Sequence, residues 1–127
     1  MSEFVYLYRG GERSDSPALA EKEMQKWVAW MEDLGKQGHL KDRGQPLERE
    51  GKIVSGKNRV VSDGPFAESK EAIGGYFYLT VTDENEAIEI AKQCPGLEYG
   101  SVVEVRPVAD EWRDHPSVFD LIANDIR

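Results

Sequence analysis

Apolar and polar residues alternate with period two in three stretches of the chain and recur at intervals of three and four in two others. The stretch EFVYLYR, residues 3–9, is dense in β-branched and aromatic residues and is stopped by Gly10-Gly11, so it reads as a strand. Ser16 before Pro17 is a helix start: an N-cap, then a residue pre-set for the first turn, with acids expected to follow there. Ala20, Met24, Trp27, Val28, Met31 and Leu34 form one apolar stripe on a helix that runs to about Lys36, with Gly35 and Gly38 as its stops. Trp30 lies toward the flank of that stripe and reads as a helix-edge packing residue. Gly74-Gly75 introduces YFYLTVT, the strongest strand. Thr82 or Asp83 caps a second helix, Asp83 and Glu86 have capping-box spacing, and Ala87, Ile90, Ala91 and Cys94 form the buried face. Pro95-Gly96 ends it, and SVVEVRP supplies a last strand that stops at Pro107.

Between His39 and Val61 the pattern is broken by turn signals at Arg43-Gly44, Glu50-Gly51 and Gly56-Lys57-Asn58, which predicts a strand followed by a hairpin excursion. The order is β-α-β-β-α-β. This predicts an α+β, ferredoxin-like domain over residues 1–108, an antiparallel sheet with two helices on one face. Residues 109–127 follow as an acidic C-terminal tail with a short, weakly amphipathic helix around Val118, Leu121 and Ile122.

Each strand shows two faces. Val5 and Leu7 oppose Phe4, Tyr6 and Tyr8; Phe77, Leu79 and Val81 oppose Tyr76, Tyr78 and Thr80; Val103 and Val105 oppose Val102, Glu104 and Arg106. Placing the aliphatic set beneath the helices leaves Phe4, Tyr6, Tyr8, Tyr76 and Tyr78 on a face with no helix to cover it. An aromatic patch of that kind predicts pairing with the sheet of a second copy, a homodimer, with a ligand cleft between the two sheets.

Charge narrows the choice of partner. With 24 acidic and 16 basic residues the net charge is −8, and the bases are scattered among acids, as in KDRGQPLEREGK. Nucleic acids and anionic membranes require a concentrated basic face, so neither is expected. No apolar run has the length of a membrane span, and the opening MSEFVYLYRG lacks a signal-peptide layout, so a cytoplasmic location is expected. Cys94, the single cysteine, fits a reducing compartment and a role as small apolar filler.

The densest polar segment is SDGPFAESKEAIGGYF, residues 62–77, where Asp63-Gly64-Pro65 has turn chemistry and Glu68, Lys70 and Glu71 follow. No Gly-rich phosphate cradle opens a helix, no nucleophile elbow is present, and no spacing suits a metal or cofactor. His115 lies in the tail, and His39 follows Gly38 at the end of the first helix, where a positive side chain favours the helix dipole or could face Asp63 or Glu68 across a cleft.

The run DGPFAESKEAIGGYF resembles the signature of the DGPF family among the YCII-related proteins, and the opening FVYLY, the stretch from KQGHL to GQPLE and the closing SVVEVRPV extend the resemblance over residues 3 to 108. The resemblance implies a dimeric α+β barrel, in which two ferredoxin-like sheets close against each other. It also implies a link to extracytoplasmic-function sigma factors. YCII-type proteins carry a histidine on the first helix, paired with an aspartate, as proposed catalyst; the matching place here is Trp27, and indole cannot shuttle protons.

The residues support two functional expectations. The first is a binding or regulatory module, a homodimer whose cleft holds a small molecule or engages a sigma factor. Asp63, Glu68 and Lys70 would form its polar rim, and Tyr6, Tyr8, Tyr76 and Trp27 its apolar walls. The alternative is an enzyme acting on a small carbonyl or lactone-like substrate, with Asp63 or His39 as base and Lys70 or Arg106 stabilising negative charge.

Overall fold

In the computed structural model, residues 2–11, 16–48, 50–64 and 72–116 are described. The elements in chain order are β1 (Ser2–Gly10), α1 (Pro17–Lys36), β2 (Leu40–Asp42), β3 (Lys52–Ser55), β4 (Val60–Asp63), β5 (Ile73–Val81), α2 (Glu84–Ala91), a 3-10 turn (Pro95–Tyr99), β6 (Ser101–Pro107) and a single helical turn, α3 (Asp110–Arg113). Strands β2, β5, β1 and β6 lie in that order in an antiparallel sheet, the ferredoxin-like arrangement. The hairpin excursion is β3–β4, a separate two-stranded ribbon whose strand residues are all exposed. The predicted helix around Val118, Leu121 and Ile122 lies outside the described residues.

Local chemistry sets the helix ends. The Ser16 side chain accepts from the Leu19 amide, with Pro17 at the first position, and Gly38 takes the left-handed conformation (φ +78°) just past the last turn. The acids expected in the first turn of α1 are not there; Glu21 and Glu23 come later. In α2 the capping box closes: Asp83 accepts from the Glu86 amide at 2.9 Å, and Glu86 reaches back to the Thr82 amide at 2.9 Å. Gly74 and Gly75 do not precede β5 but lie within it, because the chain around Pro46 packs straight onto their backbone.

The sheet faces differ from the expectation in β1. Tyr6 is paired directly with Phe77 and Phe4 with Leu79, so these side chains must share a face. With Phe77, Leu79 and Val81 beneath the helices, Phe4, Tyr6 and Tyr8 go there too, and all six are buried. Val105 and Val103 stand opposite Tyr6 and Tyr8 on the next strand and complete the same layer. The open face therefore carries Val5, Leu7, Tyr76, Tyr78 and Val102. They are interleaved with charged groups: Glu3 accepts from Lys41 at 2.7 Å and from the Tyr78 hydroxyl, and Glu104 pairs with Arg9 at 2.9 Å.

Helix α1 is also rotated from the expected stripe. Trp30, placed on the flank by sequence, is 8% exposed and stacks on Tyr6 (centroids 6.5 Å, 8° between planes) and on Phe77 (5.6 Å, 28°). Trp27, Met31 and Leu34 join it against the sheet, while Met24 and Val28 stand exposed. Both stripes satisfy helical spacing, and the bulk of the aromatic layer selects the one that gives Trp30 flat partners. Replacing Trp30 with Ala should lower stability by about 3–5 kcal/mol, the range for deleting a buried aromatic. Replacing Val54 on the exposed ribbon with Ala should change it by less than about 0.5 kcal/mol. Urea midpoints of the two variants check the contrast.

Candidate functional site

At the end of the sheet where β1 finishes and β5 begins, the residues facing α1 are Gly10, Ala72, Gly74 and Gly75, with little or no side chain. The helix passes above them on Met24, Trp27, Val28 and Met31, and the space between stays empty as a cavity of about 490 Å³. Tyr8 and Phe77 form its inner wall, set edge-to-face to Trp27 at 5.1 and 6.1 Å. The segment Arg43–Leu47 closes the side beyond β5, and Ser101 of β6 marks the opposite end. The cavity therefore reaches from the β2 edge of the sheet to the β6 edge, three interstrand spacings or roughly 14 Å.

Close backbone approach holds the outer wall in place. Gly44 has φ +61°, and a Cβ there would meet the Tyr76 carbonyl oxygen at 1.9 Å, so only glycine fits. The Asp42 carboxylate accepts from the Gly44 amide at 2.8 Å, and the Leu47 amide donates to the Gly74 carbonyl at 2.9 Å. On the inner side Gly96 touches the Trp27 indole, where a Cβ would come within 2.9 Å.

The expected site residues are dispersed. Tyr8 and Trp27 line the cavity, and Tyr76, on the other face of β5, reaches it only at the strand edge beside Gly44. Tyr6 is fully buried and does not line the cavity, and its hydroxyl donates to the Ala87 carbonyl. His39 lies against α2, its Nδ1 3.2 Å from the Thr80 carbonyl oxygen and 3.8 Å from Glu86 Oε1. Asp63 is at the end of the exposed ribbon, paired with Lys52. Arg106 is on β6, 3.5 Å from Glu104 on the open face. Glu68 and Lys70 lie outside the described residues. His39 and Asp63 are thus held by different elements, and neither lines the cavity. Sequence reading missed Met24, Val28, Arg43, Gln45, Leu47 and Ser101; the glycine-proline run Gly44-Gln45-Pro46 was the available signal, since it marks close backbone packing.

Electrostatically the interior is quiet. Burial raises the Tyr8 hydroxyl far above the ordinary phenol range, and the nearby Cys94 sulfur adds to the rise. That hydroxyl and the Trp30 indole N–H are buried with no hydrogen-bond partner among the described residues. Burial also pushes the Cys94 thiol up to about 11. The described residues hold no group of three or more His, Cys, Asp or Glu side chains placed to ligate a metal. None of the described helices is long and apolar enough to cross a membrane.

An antiparallel four-stranded sheet under two helices, with an aromatic cavity between the first helix and the sheet end, is a ferredoxin-like α+β domain built around a cleft. The chain belongs to the YCII-related domain family, whose model matches residues 4–113. The match runs past β6 into α3. No curated protein matches the chain.

Cys94 should be inert in the folded protein: at pH 8 its reaction with Ellman's reagent should be at least about tenfold slower than in urea, because only the thiolate attacks. The unfolded thiol ionises near 9 and the folded one near 11. The unfolded chain therefore holds fewer protons in that window, and this group's contribution to stability is full below pH 9 and falls as pH rises toward 11. Urea titrations at pH 8 and 10 on the wild type and Cys94→Ala check the sign: the wild type should lose more stability between them.

Proposed function

We propose that this YCII-related protein is a small-molecule-binding module of the DGPF type, with the cavity under α1 as its ligand site. The observation that carries the reading is the lining itself. It is apolar and aromatic, of a size that takes a small organic molecule, and among the described residues it has no histidine or carboxylate. An enzyme working by acid–base chemistry on a carbonyl or lactone-like substrate would need such a group within reach of the bound molecule. Asp63 and His39, the bases that reading would use, have other partners.

A homodimer is part of the proposal. Val5, Leu7, Tyr76, Tyr78 and Val102 remain on the sheet face opposite α1 and α2, which no helix of the described residues is seen to cover, and Ile53, Val54, Val60 and Val61 are exposed on the separate β3–β4 ribbon. Uncovered apolar surface of this kind favours pairing with a second copy. Tyr78→Asp should shift sedimentation at low micromolar concentration from dimer toward monomer, whereas a wild type that sediments as a monomer rules the pairing out. Tyr6→Asp is unsuitable for this test, because Tyr6 supports the core.

The ligand reading is tested by a thermal-shift panel of small flat apolar molecules. A ligand at a hundred times its dissociation constant adds about 2.7 kcal/mol. Val28 lines the cavity and is 40% exposed, so Val28→Asp should abolish the shift while leaving the unliganded melting temperature within a few degrees. Shifts that survive in this variant would move the site elsewhere. No shift with any member would instead favour a protein partner, for which the family resemblance suggests a sigma factor.

A further inference from the structure

The cavity is asymmetric in charge. Among its described lining residues only Arg43 is charged, and it stands at the β2 end, opposite Ser101 at the other. Acids outnumber bases 24 to 16 in this chain; among the described bases Arg9, Lys26, Lys41, Lys52, Lys92 and Arg106 each have a carboxylate within ion-pair distance, while Lys22, Lys36, Lys57 and Arg59 have none but lie away from the cavity lining. Arg43 has none among the described residues. The neighbouring Asp42 carboxylate accepts instead from the Gly44 amide. Nor is Arg43 on a free loop, since the tight packing of Gly44 on Tyr76 and the Leu47–Gly74 hydrogen bond fix its backbone at the cavity mouth.

Resting on the binding-module reading, we infer that the ligand is a flat, apolar monocarboxylate. Its ring system lies between the Met24–Val28–Met31 ridge and the glycine floor, and its carboxylate meets the Arg43 guanidinium. Shape selects the flat body: the floor has almost no side chains, the inner wall is the edge-to-face set of Trp27, Tyr8 and Phe77, and the two methionines adapt to a ring. Charge selects the head group. Guanidinium matches a carboxylate through two parallel hydrogen bonds. One guanidinium in a chain of net charge −8 suits a single negative charge rather than a phosphate or polyanion, which would need further cations.

The test compares 2-naphthoate with 2-naphthalenemethanol, which share a ring system and differ in charge, by calorimetry on the full chain. Wild type should bind the carboxylate about tenfold more tightly, the size of a good charge-assisted contact. In Arg43→Gln the preference should vanish while the alcohol binds as before, since Arg43 is exposed and its loss leaves the core intact. In Val28→Asp both probes should lose affinity. Equal binding of the two probes by wild type, or a preference that persists in Arg43→Gln, overturns the carboxylate inference and leaves the cavity reading standing. If neither probe binds wild type, both fall together.

Discussion

The pairing of Tyr6 with Phe77 across β1 and β5 is the contact on which the rest of the molecule depends. Tyr6 has no exposed surface; its ring lies flat against Trp30 of α1 and its hydroxyl donates to the Ala87 carbonyl of α2. One side chain thus ties both helices to the central strands. Aromatic pairs of this geometry add about 0.5–1.5 kcal/mol each beyond the area they bury, and Trp30 makes two stacked ones. The Tyr6 hydroxyl is buried without penalty only because the Ala87 carbonyl accepts from it.

The cavity follows from the same layer. Bulky rings set the helix-to-sheet spacing in the middle of the sheet, while at its end the floor shrinks to Gly10, Gly74 and Gly75. A helix held at the height of Trp27 and Trp30 cannot descend onto glycines, so the space beneath it stays open. The glycines serve a second purpose, since Gly44 and Gly75 let the segment after β2 lie directly on β5 and close the cavity's side. Packing and site are therefore one construction.

Charge is distributed to match. The acids and bases of the open face neutralise one another across strands, as Glu3 does with Lys41 and Glu104 with Arg9. Such exposed pairs add little to stability, a few tenths of a kcal/mol up to about 1. They do leave the open face close to neutral, with Val5, Leu7 and Tyr78 between them. Among its described lining residues the cavity has one charged group, Arg43, with no carboxylate in ion-pair range, and otherwise largely apolar walls.

Where the strands and helices lie, and where they stop, could be read from local chemistry: Ser16-Pro17, Asp83 with Glu86, and Pro107 act within a few residues of themselves. The alternation within β1 was equally legible, since successive side chains must point to opposite faces. Which of those faces meets the helices was not, because that depends on the register of β1 against β5, set by residues some seventy positions apart. The same holds for Trp30, whose place in the core depends on the flat rings opposite it rather than on its helical phase. The cavity is the extreme case. It is made of what glycines lack and of a helix whose height distant tryptophans determine, so the hydrophobic pattern of the chain determined the elements, and only their packing decided that a cavity exists between them.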